Sequence, residues 1–372
     1  MYDYLVVGAG LYGATFAQQM HEHGRSVLVV EKRNHLAGTA HTALCEGILV
    51  HAYGPHIFHT DSAEAWEYVN RFAHFEPFIN TPIANYHGKL YNMPFNMNTF
   101  YQLWGVTTPE EAMKIISSQR MDNGGQEPQN LEEKAITSVG SDIYHTLIKG
   151  YTEKQWGRDC RQLPPWIISR LPLRFTFNNN YYNAVWQGIP REGYTQMVSA
   201  MLQGVDVWLN TDYLAQREKL NGMARRVLFT GMLDAYWNYC FGALAYRGCR
   251  FDTRILDVEN FQGNAVVNYT DRETPWTRII EHKWLRGYPS QAERTQKTVI
   301  SYEYSQEVGA SDEPFYPIND ECNDRLFKQY ESLAQREPNM LFGGRMAEYR
   351  YYDMDQVILK AMEKARKALA LE

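Results

Sequence analysis

The sequence lacks the features of a secreted, disulfide-bonded or membrane-embedded protein. Only five of its 372 residues are cysteines, and none of them forms a C-x-x-C pair. This number and spacing argue against a disulfide framework or a zinc site, and they fit a reducing compartment. No apolar run approaches the roughly 20 residues that a membrane helix needs. The first predicted strand begins at Tyr4, which leaves no room for a signal peptide, so we expect a cytoplasmic protein.

An excess of positive charge is also missing. The formal net charge is −6, which gives no reason to expect nucleic acid or an anionic membrane as a partner. Internal repeats and low-complexity segments are absent as well, and a chain of this length is expected to form two or three folding units. Aromatic residues, in contrast, are plentiful, with 26 Tyr and 9 Trp. Core packing accounts for most of them, and the surplus suits stacking on a flat ligand.

The first forty residues carry the most informative pattern. The apolar residues 4–7 are followed by Gly8-Ala9-Gly10-Leu11-Tyr12-Gly13, then by apolar residues at helical spacing, and residues 26–30 form a second apolar run that ends at Glu31. Strand, glycine turn, helix, strand and acid in this order predict a dinucleotide-binding βαβ unit. Gly8 allows the tight turn, Gly10 lets the backbone approach a pyrophosphate, and Gly13 lets the helix pack on the strand. The N–H groups at the start of the helix, where Leu11 lies, then face the phosphates.

The acid and the turn after it indicate which dinucleotide binds. Glu31 lies where a carboxylate accepts the adenosine ribose hydroxyls, and it would repel the 2′-phosphate of NADP. The neighbouring Lys32 and Arg33 weaken that argument a little, and we also place Lys32 at the cofactor. A second turn of small residues, Ala37-Gly38-Thr39, follows. Such a turn is typical of flavoprotein oxidases and mutases, in which the chain passes back over the cofactor, so FAD is favoured over NAD.

Two histidines lie in the run His56-Ile57-Phe58-His59. Their spacing could indicate a metal pair, but the segment alternates like a strand or loop and no third ligand lies nearby in the sequence. We therefore expect no metal. The histidines either cap a loop or lie beside the flavin ring.

The remaining pattern predicts an α/β protein with a Rossmann-like FAD-binding domain, an inserted helical domain and an antiparallel β-sheet domain. Residues 86–93 read as a hairpin around Gly88, residues 110–119, 131–139, 143–149 and 355–369 as helices, and residues 188–194 as a turn. The FAD-binding domain is discontinuous and comprises residues 1–80, 190–243 and 337–372. The helical insertion comprises residues 97–170, and the sheet domain residues 81–96, 171–189 and 244–336.

Seven runs spread over nearly the whole chain carry a family resemblance. They are Gly8-x-Gly10-x-x-Gly13, Gly54-Pro-His56-Ile-Phe-His59, Lys149-Gly-Tyr151-Thr-Glu-Lys-Gln-Trp156-Gly157, Arg170-Leu-Pro-Leu-Arg174-Phe, Pro275-Trp-Thr-Arg278-Ile-Ile-Glu-His282-Lys, Pro314-Phe-Tyr316-Pro, and Gly344-Arg345 with Tyr351-Tyr352-Asp353-Met354. Together they resemble the bacterial UDP-galactopyranose mutases, which are flavoenzymes. The runs at 149–157 and 277–283 are specific, whereas many families share the glycine turn. Ala37-Gly38-Thr39 departs from the family's Gly-Gly-Asn, which leaves a contact between Thr39 and the flavin open, and residues 284–296 look like an extended hairpin tip.

The resemblance implies an isomerase that interconverts UDP-galactopyranose and UDP-galactofuranose by ring contraction, without net redox chemistry. In the family the FAD must be reduced, because its N5 atom is the nucleophile at the anomeric carbon of galactose. The product supplies galactofuranose for cell-surface glycans. We also expect a homodimer.

The resemblance also implies roles for individual residues. Arg170 and Arg278 match the pair that grips the diphosphate, and with His59 they are the expected catalytic residues. Tyr151 and Trp156 match the uridine-binding stretch. Hydroxyl groups that reach the diphosphate are matched by Tyr181, Tyr316 and Tyr351. The flavin is expected to contact Gly38, Thr39, His56, His59, Arg345, Tyr352, Asp353 and Met354, in addition to the glycine turn and Glu31.

Arg170 is expected to lie on a mobile segment. Pro164-Pro165 breaks the preceding helix and Asn178-Asn179-Asn180 forms a polar turn, so the piece between them can close over the site as a lid.

Two other functions use the same N-terminal pattern. A flavin-dependent amine oxidase or desaturase would oxidise its substrate, and it would need an apolar tunnel rather than the segment rich in Arg and Tyr. A nucleotide sensor that keeps the fold would turn nothing over.

Overall fold

A computed structural model describes residues 1–122, 124–168, 173–286, 295–309 and 312–371. The strands are β1 (Tyr2–Val7), β2 (Val27–Val30), β3 (Thr42–Cys45), β4 (Ile48–His51), β5 (Phe58–Thr60), β6 (Phe75–Pro77), β7 (Ile83–Tyr86), β8 (Lys89–Asn92), β9 (Trp186–Pro190), β10 (Asp206–Trp208), β11 (Ala224–Phe229), β12 (Tyr246–Leu256), β13 (Val266–Tyr269), β14 (Arg278–Glu281), β15 (Thr298–Glu307), β16 (Tyr316–Pro317) and β17 (Met340–Phe342).

The α-helices are α1 (Leu11–Glu22), α2 (Ala63–Asn70), α3 (Met97–Trp104), α4 (Pro109–Gln119), α5 (Leu131–Val139), α6 (Ser141–Ile143), α7 (Lys149–Trp156), α8 (Tyr194–Met201), α9 (Arg217–Asn221), α10 (Leu233–Tyr236), α11 (Glu321–Ala334) and α12 (Met354–Ala370). A π-helical turn, Tyr144–Ile148, joins α6 to α7. Short 3₁₀ helices lie at Gly38–Ala40, Cys160–Gln162, Pro165–Ile168, Leu214–Gln216 and His282–Arg286.

A five-stranded parallel sheet in the order β10-β2-β1-β11-β17 forms the dinucleotide-binding part of the fold. All four residues of β2 are buried, as expected of a strand in a parallel sheet that is covered on both faces. Helix α1 packs against the C-terminal α12, and their apolar faces share one hydrophobic cluster. The sequence prediction of a Rossmann-like α/β fold is therefore confirmed.

The glycines of the first turn are required by close packing. Gly8 has a φ of +105°, and a Cβ on it would lie 2.3 Å from Thr230 Oγ1. A Cβ on Gly13 would lie 2.0 Å from the carbonyl oxygen of Gly8. Any side chain at Gly13 would therefore push α1 away from the strand that precedes it.

A seven-stranded sheet in the order β16-β12-β15-β14-β13-β7-β8 forms the second layer. Its pairs are antiparallel except for β13 with β7. The predicted hairpin around Gly88 is the β7–β8 pair at one edge of this sheet. In the middle of the sheet, β14 and β15 are paired so that Arg278 lies opposite Glu303.

Helices α3 to α7 cluster around a separate hydrophobic core. Helix α4 begins at a capping box in which Thr108 accepts from Glu111 N, and Pro109 is its first residue. Such caps satisfy backbone groups that have no partner within the helix. The cap also fixes where the helix begins, and the predicted helix, residues 110–119, agrees with the observed one to within one residue.

The structure differs from the sequence prediction in three places. The helical segment predicted to end at residue 149 continues to Trp156. The helix ends there because the next residue, Gly157, takes a left-handed conformation with a φ of +67°. Residues 188–190, expected in a turn, belong to β9, which pairs with β5 and β6. Residues 284–286, expected in a hairpin tip, lie in a 3₁₀ helix, and residues 287–294 lie outside the described part of the chain.

The boundaries of the three predicted domains stay a prediction. None of the helices in the described ranges is long and apolar enough to cross a membrane.

Candidate active site

The N-terminus of α1 is shaped to receive an anion. Its N-cap residue is Gly10, and no side chain caps the first turn, so the backbone N–H groups there are not taken by a capping side chain. The turn at residues 37–39 comes back over this point. A Cβ on Gly38 would lie 3.1 Å from Gly10 Cα, and Ala37 N donates to the carbonyl oxygen of Ala9 at 2.9 Å. The two glycines therefore meet backbone to backbone, and Thr39 follows in the 3₁₀ helix Gly38–Ala40.

Glu31 lies at the end of β2 and is buried, with 2% of its surface exposed. Its Oε2 atom accepts from Ala9 N at 2.9 Å, and its Oε1 atom accepts from the backbone and the guanidinium of Arg33 at 3.0 and 2.9 Å. Arg33 also pairs with Glu313, as does Lys32 at 3.1 Å. A carboxylate has about four acceptor positions, so Glu31 retains capacity for a ribose hydroxyl.

His56 and His59 occupy different environments. His56 donates its backbone N–H to His51 Nδ1 at 3.1 Å, and its own Nδ1 is 2.7 Å from the carbonyl oxygen of Gly54. Burial, helped by the nearby charges of Arg345 and Arg278, lowers the pKa of His56 to about 4, so this ring is neutral at neutral pH. The ring of His59 stacks on that of Tyr182 with centroids 3.8 Å apart.

The segment 345–354 brings the predicted flavin contacts together. Arg345 donates from Nε to the carbonyl oxygen of Tyr352 at 2.7 Å, and its guanidinium lies 4.6 Å from the ring centroid of Tyr351. Asp353 caps α12, its backbone N–H donating to Gln356 Oε1 at 3.0 Å, and Met354 is the first residue of that helix.

Arg278 lies at the centre of a group of tyrosines. Its Nε donates to Glu303 Oε2 at 2.7 Å, and the side chains are 23% and 6% exposed. Burial raises the pKa of the hydroxyls of Tyr151, Tyr181 and Tyr316, and each of these groups is close enough to Arg278 for its charge to be felt. The ring of Tyr316 in turn lies 5.8 Å from that of Tyr351. The structure therefore brings three of the predicted substrate residues, Tyr151, Tyr181 and Tyr316, around one half-buried cation, and Tyr351 lies next to one of them.

Trp156 lies at the far end of α7 from Tyr151. Its ring meets that of Trp166 edge-on at 6.3 Å, and both line a cleft with residues 318–320. Part of the Trp156 ring also packs against the helical core.

Arg170 lies outside the described residues, and so does residue 169 before it. The described chain resumes beyond it at Leu173. Here Arg174 N donates to the carbonyl oxygen of Phe95 at 2.9 Å, and its guanidinium donates to Asn183 Oδ1 at 2.6 Å.

Sequence reasoning missed three residues of this site. Glu303 pairs with Arg278, Tyr182 stacks on His59, and the thiol of Cys249 lies close enough to Arg278 and Glu303 to feel their charges. Burial raises the pKa of this thiol. Glu303 lies in the alternating apolar and polar residues 297–304, a pattern typical of a strand, but the pattern does not show which residue would lie opposite it.

Among the residues that the structure describes, the side chains that come close enough to share a metal ion are His87, Asp271 and Glu273, whose ligand atoms lie within 4.8 Å of one another. This group does not include His56 or His59.

Comparison with known proteins identifies the family. A family model described as UDP-galactopyranose mutase matches residues 146–351, and one described as an NAD(P)-binding Rossmann-like domain matches residues 6–72. A probable UDP-galactopyranose mutase from Klebsiella pneumoniae is 37% identical over 371 residues, covering 98% of this chain and 94% of the relative. A dTDP-fucopyranose mutase from Escherichia coli is 35% identical over 370 residues, covering 97% of this chain and 97% of the relative.

Solved structures show the same fold. A crystal structure of reduced UDP-galactopyranose mutase superposes with a TM-score of 0.76 at 13% identity, covering 100% of this chain and 94% of that one. A putrescine oxidase bound to putrescine superposes with a TM-score of 0.56 at 11% identity, covering 99% of both chains. At such identities the likeness concerns the fold alone. The UDP-galactopyranose mutase family model, in contrast, matches the sequence over more than half of the chain, and the relatives above 30% identity match it over nearly its full length. The chain belongs to the UDP-galactopyranose mutase family.

Proposed function

We propose that this protein interconverts UDP-galactopyranose and UDP-galactofuranose with FAD as its cofactor. The observation that carries the proposal is the cluster around Arg278 in a chain of this family. A half-buried guanidinium among tyrosine hydroxyls suits an anionic diphosphate, because a guanidinium and neutral hydroxyls all donate hydrogen bonds to phosphate oxygens. An amine oxidase binds a cationic or apolar substrate, and the positive charge of Arg278 would not stabilise either of them.

The residues of the N-terminal part fit FAD. The N-terminus of α1 has no side-chain cap, so its backbone N–H groups suit the pyrophosphate. Gly38 lies against Gly10, and neither residue has a Cβ that would keep the two turns apart. Glu31 is buried with acceptor capacity for a ribose hydroxyl. We place Lys32, Thr39, His56, His59, Arg345, Tyr352, Asp353 and Met354 around the rest of the cofactor.

When bound and reduced, FAD supplies the nucleophile for the anomeric carbon of galactose, and it is not consumed. The chain has to hold the diphosphate leaving group and orient the sugar. We assign the diphosphate to Arg278 and Arg170. The raised pKa values of Tyr181 and Tyr316 keep their hydroxyls protonated as donors, and Tyr351 adds a third hydroxyl. A neutral His56 adds no charge that would compete for the diphosphate.

We assign the uracil and its ribose to Tyr151 and Trp156, which lie at opposite ends of α7. Arg170 is assigned to a segment that closes over the diphosphate, because a closed site excludes the water that would otherwise weaken these charged contacts.

A second candidate substrate is dTDP-fucopyranose, since one relative of nearly equal identity bears the name dTDP-fucopyranose mutase. The two substrates differ in the base methyl group, the ribose 2′-hydroxyl and the sugar 6-hydroxyl. The diphosphate contacts proposed here serve both of them equally.

The proposal is tested with the purified holoenzyme. Acid precipitation should release all of the flavin as FAD. The enzyme, reduced with dithionite, should then convert UDP-galactofuranose to UDP-galactopyranose without a stoichiometric electron acceptor, and faster than it converts dTDP-fucofuranose. Equal activity of oxidised and reduced enzyme would contradict the requirement for reduced flavin. A preference for the thymidine nucleotide would establish the second candidate, and absence of turnover with both nucleotides would overturn the proposed isomerase. Light scattering on the same sample tests the expected homodimer.

A further inference from the structure

One face of α7 is pressed against the loop that joins β13 to β14. A Cβ on Gly150 would lie 2.4 Å from the carbonyl oxygen of Thr270 and 2.9 Å from the carbonyl carbon of Asp271. These are backbone atoms, which cannot turn aside as the end of a side chain can. Glycine at position 150 therefore lets the helix approach the loop more closely than any other residue would.

Lys154 lies one turn further along the same face of α7. Its Nζ donates to the carbonyl oxygens of Tyr269 at 2.8 Å, Thr274 at 3.0 Å and Trp276 at 3.0 Å. An ammonium group has three donors, so the loop takes all of them. Burial lowers the pKa of Lys154 to about 8, while Asp271 and Glu273 act in the opposite direction. The side chain thus ties three points of the loop to the helix.

The same ammonium lies close to the acidic side chains of this loop. The possible metal-binding group of His87, Asp271 and Glu273 lies on this loop and the adjacent hairpin, but two of its members are exposed. Lys154 already satisfies the three carbonyl groups and acts electrostatically on both carboxylates.

The C-terminal end of α7 is held separately, by the long strands of the sheet. Arg247 on β12, which is 4% exposed, donates from Nε to the carbonyl oxygen of Gln155 at 2.9 Å. It also donates to Ser305 Oγ on β15 at 3.1 Å. The helix is consequently fixed to the sheet at two points, and one of them is the loop that leads into Arg278.

This arrangement links the two sides of the proposed nucleotide site. Tyr151 directly follows Gly150, while Arg278 comes two residues after Trp276, the last of the three residues bound by Lys154. Tyr151 and Arg278 are close enough to influence each other electrostatically. We propose that Lys154, with Gly150, is a positioning residue that sets the separation of Tyr151 from Arg278 and thereby the affinity for the nucleotide. The inference rests on the proposed function, since it concerns the same site.

The test compares Lys154→Met with Lys149→Met in the FAD-loaded enzyme. Lys149 is on the same helix, but its partner is Glu132 at 3.8 Å, away from the loop. Because a displaced Tyr151 loses part of its contact with the base, we expect Lys154→Met to weaken UDP binding on the order of 10-fold in calorimetry. KM should rise more than kcat falls, and FAD content should stay at the wild-type level. Lys149→Met should bind UDP like the wild type. Gly150→Ala, which alters the other half of the same contact, should weaken UDP binding in the same direction.

The outcomes separate this inference from the function on which it rests. If Lys154→Met lowers only the melting temperature and binds UDP like the wild type, Lys154 serves stability alone and the inference is wrong. If Lys149→Met weakens UDP as much as Lys154→Met does, the effect is one of general charge, and the inference is also wrong. If the wild type itself does not bind UDP, the proposed function is overturned, and the inference with it.

Discussion

The pair of Arg278 and Glu303 allows a test that separates binding of the diphosphate from stability of the fold. The Arg278 guanidinium has five N–H donors. In the described part of the chain, one of them, Nε–H, donates a hydrogen bond to Glu303 Oε2 at 2.7 Å. The other donors can serve a diphosphate. Removing the guanidinium therefore has two consequences, one for the substrate and one for the carboxylate left behind.

The expected magnitude differs for each consequence. Losing one partner of a desolvated charge contact costs about 2–5 kcal/mol, so Arg278→Ala should lower turnover at least ~30-fold. Breaking a buried ion pair by removing one partner costs about 3–5 kcal/mol of stability. We expect the lower end, about 3 kcal/mol, because Glu303 Oε1 keeps the hydroxyl of Thr277 at 3.1 Å. For a chain of this size that loss lowers the melting temperature by on the order of 5 °C.

The double variant Arg278→Met/Glu303→Gln distinguishes the two consequences. It removes both charges and keeps similar side-chain volumes, and such replacements are often neutral for stability. Its melting temperature should therefore return close to that of the wild type, while turnover stays low. Turnover is measured with reduced enzyme at saturating substrate, and FAD content by absorbance, which should be unchanged in both variants. If turnover recovers together with stability in the double variant, Arg278 only compensates Glu303 and does not bind the diphosphate.

Three further substitutions test the remaining parts of the site. Trp156→Ala should weaken UDP roughly 5- to 150-fold, since stacking on a base is worth ~1–3 kcal/mol; if calorimetry shows unchanged affinity and only the melting temperature falls, Trp156 belongs to the core. Arg170→Ala should cut turnover at least ~30-fold without loss of FAD, whereas near-wild-type turnover would identify a surface residue worth ~0–1 kcal/mol. Gly13→Ala should lower the flavin-to-protein ratio of the purified enzyme, because overpacking of this kind costs about 1–3 kcal/mol or more and displaces α1; Gly222→Ala, where a Cβ comes no closer than 3.5 Å to its neighbours, is the matched control, and full FAD occupancy in Gly13→Ala would contradict the argument.

The sequence by itself determined the features that depend on neighbouring residues. The glycine turn, the helix after it and the acid at residue 31 lie within one short segment, so their spacing predicted the βαβ unit that the structure shows. Helix α4 was equally readable, because its capping residues lie next to its apolar periodicity. The end of α7 carried a signal as well, since Gly157 follows Trp156 directly, but the predicted helix stopped short of it.

Tertiary structure alone decided how distant segments meet. Glu303 lies opposite Arg278 because β14 and β15 pair in one register. A shift of either strand by one residue would place the two side chains on opposite faces of the sheet. The three carbonyl groups around Lys154 come from the end of β13 and the loop after it, more than one hundred residues further along the chain. Such contacts depend on the relative placement of elements that carry no local record of each other, which is why periodicity and motif spacing predicted the cofactor end of the site but not the partners that hold its substrate end.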